Sequence, residues 1–499
     1  MPDQPTTVTG TNAREWWLAV VLVAVVVLFR AGIFVFWERA QFDSDQAIFG
    51  LMAKHLGELR ALPVFMYGQN YILAVEAWMA APLFAIAGAS VTALKLPLLA
   101  INLATAVLLV RVFTRDVGLS PLAAVVPTLF FALPAAGTAA RLVDAGGGNI
   151  EPFLYVVLIW LLRARPLACG VILGLGFLQR EFTVYGFVAL LAVDLFRGRL
   201  FTRGGVLARI QTVAVAGFAW TAVQGLKLVS SGAGPGTTIA DVHGPASNFG
   251  ELAARSCFDP GTLSAGIRRI VVEHWPTLFG TATFRLSDFG IVSTLDQGAP
   301  WSALLLATVA AVPAVTLLAT TARTRTVPRE LDFCCFLVLV ALLSVTGYIV
   351  GRCGAIDFYF LRYELLSVLG MAGLAAAFLR RTQSRLLRVS WTGLALAWFV
   401  FTATPHARLW HEYLTNPPAD VRRELIAHLD ARGIRYASST YWISYAITFL
   451  TDERIIMKSE DFVRIRSYER VVEAQEGNVW RVARKPCGEE IMPRIYLCR

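Results

Sequence analysis

Charged residues are scarce in this sequence, and long apolar runs take their place. Only 16% of its 499 residues are charged, whereas soluble domains carry about 25%. Apolar residues make up 56%, and the mean hydropathy is +0.59. This composition excludes an ordinary soluble enzyme. The net charge of +10 does not indicate a nucleic-acid partner, because most of the excess is Arg beside apolar runs, as orientation in a membrane requires.

Several other signals are also missing from the sequence. No internal repeat is evident, although transporters are often built from repeated halves. The last segment, 405–499, contains no Gly-rich phosphate loop and no Cys/His spacing typical of metal sites. His243 and His274 have no second His four residues away, so a metal site formed by them is disfavoured.

Apolar runs dominate the first 404 residues. A helix that crosses a membrane needs about 20 mostly apolar residues. The first run is too long for a signal peptide and lacks a small-residue cleavage site, which predicts an uncleaved span. Twelve runs approach the required length: 17–37, 71–89, 92–113, 121–138, 152–162, 167–179, 182–196, 206–228, 301–321, 331–350, 363–379 and 389–404.

Arginine clusters between these runs predict the orientation, because cytoplasmic loops retain Arg and Lys. The clusters are Arg111 and Arg115; Arg163 and Arg165; Arg197, Arg199, Arg203 and Arg209; Arg323, Arg325 and Arg329; and Arg380, Arg381, Arg385 and Arg388. All five clusters lie on one side of the membrane only if one of the twelve apolar runs does not cross it. The best candidate for this run is 71–89, because it contains Glu76 and Pro82. We therefore predict about eleven transmembrane helices with the N-terminus in the cytoplasm.

This topology predicts two parts. Residues 1–404 form a polytopic α-helical membrane domain with outer loops 38–91, 139–151 and 229–300. Residues 405–499 form a small α/β domain on the outer, periplasmic face, with one amphipathic helix and four strand-like runs, IRYASST, ERIIMKS, VWRVARK and RIYLC. A packing or acceptor-binding role is expected for this C-terminal part, and the cell (inner) membrane is the expected location.

The seven cysteines divide between the two environments. Cys169, Cys334 and Cys335 lie within apolar runs, where Cys is usually a small buried hydrophobe. Cys257, Cys353, Cys487 and Cys498 are predicted to lie outside, where disulfides can form. Three connectivities are available to four cysteines. Cys487 with Cys498 is the local option, and it leaves Cys257 with Cys353.

The first outer loop carries the most informative acids. Ile48, Leu51, Met52, His55 and Leu59 fall on one helical stripe, which suits a helix lying on the membrane surface. Asp43, with Gln46 three residues later, resembles a capping box and puts Asp45 in the first helical turn. One interpretation is that both acids only serve the helix cap and dipole. The alternative is that Asp45 is catalytic.

A resemblance favours the catalytic interpretation. The loop contains Asp-x-x-x-Phe-x-x-Met-Ala from Asp45, then Gly-Gln-x-Tyr ending at Tyr71, then Glu-x-x-x-x-Ala-Pro-Leu from Glu76. In this order and place, these motifs resemble the first outer loop of GT-C membrane glycosyltransferases, particularly the protein O-mannosyltransferase and aminoarabinose-lipid A transferase group. The resemblance covers roughly 17–165 and, more loosely, the remaining membrane part.

The resemblance implies a reaction and several site residues. The donor would be a polyprenyl-phosphate-linked sugar, and Asp45 would be the catalytic base. Gln46 and Phe49 stand where the family usually has Glu and Tyr, which leaves the requirement for a divalent cation open. The family's second outer loop supplies an acid just before a span. Glu151 matches it best and Asp144 is the alternative.

Further residues are predicted to bind substrate. The pair Arg362-Tyr363 resembles a family feature at the start of a late span. Arg352 and Arg362 lie where a lipid-linked phosphate would sit, although interface Arg often only snorkels. The predicted substrate-binding set is Asp43, Tyr71, Glu76, Asp144, Arg352, Arg362 and Tyr363. The segment Gln179–Glu181 is either a hairpin turn or a polar wall of the cavity.

The predicted function is therefore transfer of a monosaccharide from a polyprenyl-phosphate donor to a lipid, glycan or protein acceptor on the outer face of the lipid bilayer. Phosphate leaves without a general acid, so one carboxylate suffices. The alternative is a transporter or flippase of lipid-linked sugars. Convergence of Asp45, Glu76 and Glu151 on one outer cavity would favour the enzyme.

Overall fold

The computed structural model describes residues 13–242, 256, 258–286, 292–352, 358–475 and 477–499. Each of the twelve apolar runs forms a helix. Within the described residues, seven helices are long and apolar enough to cross a membrane: Ala13–Phe36, Val91–Arg115, Arg203–Val229, Pro300–Thr324, Arg329–Gly351, Leu361–Arg381 and Arg385–Thr415. Shorter apolar helices are Val75–Ala87, Pro121–Ala132, Glu151–Leu161, Pro166–Gln179 and Thr183–Phe196. The chain is thus a helical membrane protein, and the count of about eleven crossings stays a prediction.

Local sequence signals set where many of these helices begin. The side chain of Ser90 accepts a hydrogen bond from the backbone N–H of Ala93, and Ser120 and Ser384 cap their helices in the same way. These caps satisfy N–H groups that have no partner inside the helix. Pro at the first helical position already has the φ angle of a helix, because its ring fixes φ. The helices that start at 121, 166 and 300 begin in this way.

The first helix shows how the membrane part is packed. Ala19, Val23 and Val27 are fully buried in the main apolar core. Val21 and Val25, on the other side of the same helix, are 54% and 56% exposed. A helix that is apolar on both its buried and its exposed sides is stable in a bilayer and unfavourable in water.

All five arginine clusters meet at one end of the helices. Arg163, of the second cluster, pairs with Asp116, which follows the first cluster. The backbone carbonyl of Arg163 accepts a hydrogen bond from Arg209 of the third cluster. Arg197 pairs with Asp332 and Arg380 with Glu330, which link the third, fourth and fifth clusters. The grouping on one side agrees with the topology prediction, and the assignment of that side to the cytoplasm stays a prediction.

The other end carries short helices and a hairpin from the loop 229–300. Pro260–Arg269 continues through a π-helical turn, Ile270–His274, into Trp275–Phe279. The strands β1 (Ala282–Leu286) and β2 (Val292–Gln297) pair antiparallel. Two short helical pieces, Glu38–Ala40 and Ala136–Arg141, and a 3-10 segment, Phe358–Ser367, complete this end.

The C-terminal part forms a five-stranded mixed sheet with order β4-β3-β5-β7-β6. Its strands are β3 (Tyr436–Ser439), β4 (Ile456–Ser459), β5 (Trp480–Ala483), β6 (Glu489–Met492) and β7 (Ile495–Cys498). Its helices are Val421–Ala431, Tyr441–Leu450 and Arg466–Glu473. The four predicted strand-like runs each contain a strand. The sequence analysis missed β6 and the last two helices, because these segments are too short for a clear period.

The cysteines follow the prediction as far as the structure describes them. Cys487 and Cys498 form a disulfide. Cys169 and Cys334 are buried free thiols, and Cys335 is half-buried. The predicted pairing of Cys257 with Cys353 lies outside the described residues.

The C-terminal part packs against the first outer loop. We call Ser44–Gly57 the loop helix and Tyr441–Leu450 the docking helix. His55 Nε2 lies 3.1 Å from Glu453 Oε1, and Lys54 Nζ lies 3.1 Å from Glu453 Oε2. The loop 38–91 and the C-terminal part therefore lie on the same side of the helices, as the topology prediction requires.

Candidate active site

The loop helix begins with a side-chain cap. Asp43 has an extended backbone, and its Oδ1 accepts from the backbone N–H of Gln46 at 3.1 Å. The predicted cap is confirmed, and Asp45 lies in the first turn. The expected membrane-surface position is corrected, because residues on all sides of the helix are buried and the off-stripe Lys54 is only 8% exposed. The docking helix and the segment after it cover the polar side, which the sequence pattern could not show.

Asp45 joins the membrane part to the C-terminal part. Its side chain is 15% exposed, and its Oδ2 lies 3.4 Å from Nη1 of Arg362. The phenol of Tyr441, the first residue of the docking helix, donates a hydrogen bond to Oδ1. The structure thus brings together two predicted residues, Asp45 and Arg362, and adds a third that sequence reasoning missed.

One further acid, Asp144, lies beside the cap residue Asp43. Asp144 accepts from Nε2 of Gln41 and from Nη1 of Arg141, each at 3.2 Å. Burial raises the pKa of Asp144. Burial, followed by the charges of Asp45 and Asp144, raises the pKa of Asp43 to about 6. Acidic side chains are therefore concentrated beside the first turn of the loop helix, and the buried cations Arg141 and Lys95 offset part of their charge.

Glu76 and Glu151 form a second group. Glu76 is fully buried and accepts from the backbone N–H groups of Gly147 and Gly148, each at 2.9 Å. Glu151, which is 1% exposed, lies beside it. Two carboxylates buried side by side repel each other, so we expect them to share a proton and to act as a unit.

The glycine loop between the two groups is clamped in place. Gly147 and Gly148 have φ angles of +76° and +89°, which favour glycine. The guanidinium of Arg180 donates to the carbonyls of Gly146 and Gly147 from the other side. Glu76 binds the N–H groups of this loop and Arg180 binds its carbonyls, so the three consecutive glycines are held in one conformation.

The same loop connects the two acid groups. A Cβ placed on Gly147 would lie 3.2 Å from Cζ of Phe49, one turn after Asp45. A Cβ on Gly146 would lie 3.7 Å from Nη1 of Arg362. Asp45 therefore lies on one side of this loop, while Glu76 and Glu151 lie behind it and away from solvent. The three acids are neighbours, but they do not line one open cavity as the test in the sequence analysis required.

Three arginines surround Tyr363. Arg352 donates to the Tyr363 hydroxyl, and its guanidinium lies 4.1 Å from the ring centre. The guanidinium groups of Arg362 and Arg180 lie 5.7 and 5.9 Å from the same ring. For Gln179–Glu181, the position of Arg180 favours the polar-wall alternative over a simple turn. The planar guanidinium bonds two oxygens of a phosphate at once, so this cluster can bind an anionic group next to Asp45.

The remaining predicted residues take ordinary positions. Tyr71 is half-buried and packs against the main core. His274 is fully buried and pairs with Glu364 at 2.5 Å, and His243 lies outside the described residues. Among the residues that the structure describes, no group of three or more His, Cys, Asp or Glu side chains could hold a metal ion.

Tyr441 is the residue that the sequence analysis missed. It lies 396 positions after Asp45 and directly follows the strand-like run IRYASST, which ends at Thr440. Nothing in the local pattern relates it to the first outer loop. Only the packing of the docking helix places its phenol at the site.

Comparison with known proteins supports the fold. No family model and no curated protein sequence matches the chain. The crystal structure of ArnT from Cupriavidus metallidurans bound to undecaprenyl phosphate matches with a TM-score of 0.57 and 13% identity, covering 94% of this chain and 93% of that chain. The oligosaccharyltransferase of Archaeoglobus fulgidus, in the apo form, matches with a TM-score of 0.50 and 13% identity, covering 95% and 70%.

A second structure of the archaeal enzyme, AglB from Archaeoglobus fulgidus in complex with an inhibitory peptide and a dolichol-phosphate, gives the same values. These proteins are GT-C superfamily members. The chain therefore has the GT-C fold, and the resemblance seen in the first outer loop is confirmed at the level of fold.

Proposed function

We propose that this protein is an integral membrane glycosyltransferase that transfers a monosaccharide from a polyprenyl-phosphate-linked donor to an acceptor on the outer face of the membrane. The observation that carries the proposal is the position of Asp45, whose two oxygens face Arg362 and Tyr441 beside the arginine cluster. The fold supports the donor class, because one structure with this fold holds undecaprenyl phosphate.

The proposed reaction needs one base and one anion site. A hydroxyl of a lipid, glycan or protein acceptor attacks the anomeric carbon while its proton passes to Asp45. The new glycosidic bond forms as the bond from the anomeric carbon to the phosphate oxygen breaks. Polyprenyl phosphate leaves with the electron pair of that bond. Since the leaving group is already an anion, no general acid is required.

The arginines take the role of stabilising the leaving phosphate. Arg352 directly follows the helix Arg329–Gly351, and Arg362 lies in the segment at the start of the next apolar helix. Arg180 comes from the turn after Pro166–Gln179. Donors fixed in place before the reaction stabilise developing charge without reorganisation. Tyr363 lies among the three guanidinium groups, and its ring attracts them by cation–π contact.

The acids away from Asp45 take supporting roles in this proposal. Asp43 is half-buried at the start of the loop helix, where it can contact the acceptor, and the buried Asp144 lies behind it. Glu76 and Glu151 are buried behind the glycine loop. We therefore assign them to positioning this loop, in place of the direct catalytic role predicted for Glu151. Tyr71 keeps its predicted role as a substrate contact.

The proposal is tested with the purified full-length protein in lipid vesicles. Polyprenyl-phosphate donors carrying different labelled sugars are supplied, and release of free polyprenyl phosphate is measured together with labelled product. We expect release with one donor class in the wild type and none with Asp45→Asn. A transporter or flippase would move the intact donor across the vesicle membrane without releasing polyprenyl phosphate, and that result would refute the enzyme.

A further inference from the structure

The docking helix lies along the loop helix from end to end. Tyr441, at its start, donates to Asp45. Phe449, near its end, packs over Gly50 so closely that a Cβ at position 50 would lie 2.9 Å from Cζ of its ring. Just beyond that end, Glu453 lies 3.1 Å from His55, in the last turn of the loop helix. The C-terminal part thus fixes both ends of the helix that carries Asp45.

The phenol of Tyr441 is held by its own part of the chain. The backbone N–H of Tyr441 donates to Oδ1 of Asp461 at 2.7 Å. Its ring packs edge-on against Tyr445, with ring centres 5.3 Å apart, and against Phe462 at 5.7 Å. The residue is 6% exposed. Since these contacts do not involve Asp45, they place the phenol whether or not the hydrogen bond to Asp45 forms.

From this geometry we propose that Tyr441 is a positioning residue of the active site, which holds the Asp45 carboxylate in the orientation that accepts the proton of the acceptor. The inference rests on the proposed function, in which Asp45 is the base. It assigns the C-terminal part a share in the chemistry beyond packing.

The reason lies in how a carboxylate is held. Arg362 contacts Oδ2 and Tyr441 contacts Oδ1, so each oxygen of the carboxylate is held by a different part of the chain. Without the phenol, the carboxylate can rotate towards Arg362 and lie against the cation, away from the acceptor. The phenol stays neutral throughout and neither gains nor loses its proton, so it acts only through Asp45.

The test compares two tyrosines of the same helix. Tyr441→Phe removes one oxygen, the one that contacts Asp45. Tyr445→Phe is the matched control, because its hydroxyl accepts from the backbone N–H groups of Arg464 and Ile465 and contacts no acid. Turnover, KM for the donor, the pH–rate profile and Tm are measured for both, in the same vesicle assay with a polyprenyl-phosphate sugar.

We expect Tyr441→Phe to lower kcat by about 10-fold with KM for the donor unchanged, since the carboxylate loses one of the hydrogen bonds that orient it while the donor site is untouched. The acidic limb of its pH–rate profile should move to higher pH, because a donor to the ionised form is lost. The charged or titratable groups that face this place are Arg362 and Asp43. Behind them lie Asp144, Arg141 and the buried Lys95, and Asp461 binds the backbone of Tyr441. Tyr445→Phe should lower Tm and leave the limb in place.

Three results would overturn the proposal. One is an unchanged kcat and limb in Tyr441→Phe while Asp45→Asn is inactive; the proposed function then stands and only the role of Tyr441 is lost. Another is an equal loss of activity and Tm in both tyrosine variants, which indicates a structural role. Full activity of Asp45→Asn would remove both the base and its positioning residue.

Discussion

Asp45 and Glu76 are both acids of the first outer loop, and the structure treats them differently. Asp45 is partly exposed, and its partners are an arginine and a phenol from distant parts of the chain. Glu76 is fully buried, and its partners are two backbone N–H groups and another carboxyl group. An accessible carboxylate held by side chains, such as Asp45, can react with a substrate. A buried carboxylate bound to backbone N–H groups, such as Glu76, stabilises the conformation of a loop.

Replacing Asp45 should have the largest effect. Asp45→Asn keeps the size of the side chain and removes proton acceptance, so turnover should fall by about 10²–10⁴-fold while the protein still folds. Donor turnover and Tm, measured on the same preparation, check this. Glu151→Gln is the matched acid from the buried group. If it loses as much turnover as Asp45→Asn while keeping its Tm, the division between the two groups is wrong.

Replacing Arg362 should act on donor binding. Arg362→Lys keeps the charge but loses the planar fork, and we expect KM for the donor to rise by about 10-fold, the equivalent of one hydrogen bond to a charged group. Arg362→Gln should raise it further. Arg268→Gln is the control, because Arg268 is an exposed arginine on another outer helix. Equal KM values for all four proteins would show that the arginine cluster does not bind the donor.

Replacing Glu76 should act mainly on stability. Glu76→Ala leaves two buried backbone N–H groups without an acceptor, which costs about 1–3 kcal/mol for each group. Tm should fall and activity should fall with it. Glu76→Gln retains one acceptor oxygen and should recover part of the Tm. A normal Tm in Glu76→Ala with activity abolished would instead place Glu76 among the residues that contact substrate.

Asp43 should give the smallest effect and a pH signature. Asp43→Asn can still cap the helix, so we expect a loss of at most about 1 kcal/mol and little change in activity. The pKa of Asp43 is raised to about 6 in the folded protein. Its stabilising contribution is therefore full at low pH and is lost as the pH rises from about 4 through 6. Across this pH range, the Tm of Asp43→Asn should depend less on pH than the Tm of the wild type. The same dependence in both proteins would contradict the raised pKa of Asp43.

Much of the fold could be predicted because its signals are local. The apolar runs, the arginine clusters, the cap at Asp43 and the local cysteine pair each depend on residues close together in sequence. The membrane simplifies this further, since a spanning segment must satisfy its own backbone and must be apolar. The motifs from Asp45 to Leu83 also lie in one short stretch of sequence, and their resemblance to GT-C glycosyltransferases indicated the fold.

The partners of the predicted residues could not be found in this way. Arg362 lies 317 positions from Asp45. Arg180 lies more than one hundred positions from Glu76, and the two residues bind the same glycine loop. The resemblance implied a catalytic role for Glu151, and that role stays a prediction. Its burial behind the glycine loop depends on Glu76 and Arg180, which hold the loop from distant parts of the chain.

The sequence by itself determined that this is a helical membrane protein of the GT-C fold, which end of its helices gathers arginine, and where its first outer helix begins. Composition, period and caps are properties of neighbouring residues. Only the tertiary structure decided which acid is accessible, which arginines surround Tyr363, and that a tyrosine of the C-terminal part reaches Asp45. Those facts depend on packing between segments far apart in the chain, and no local pattern encodes which surfaces will meet.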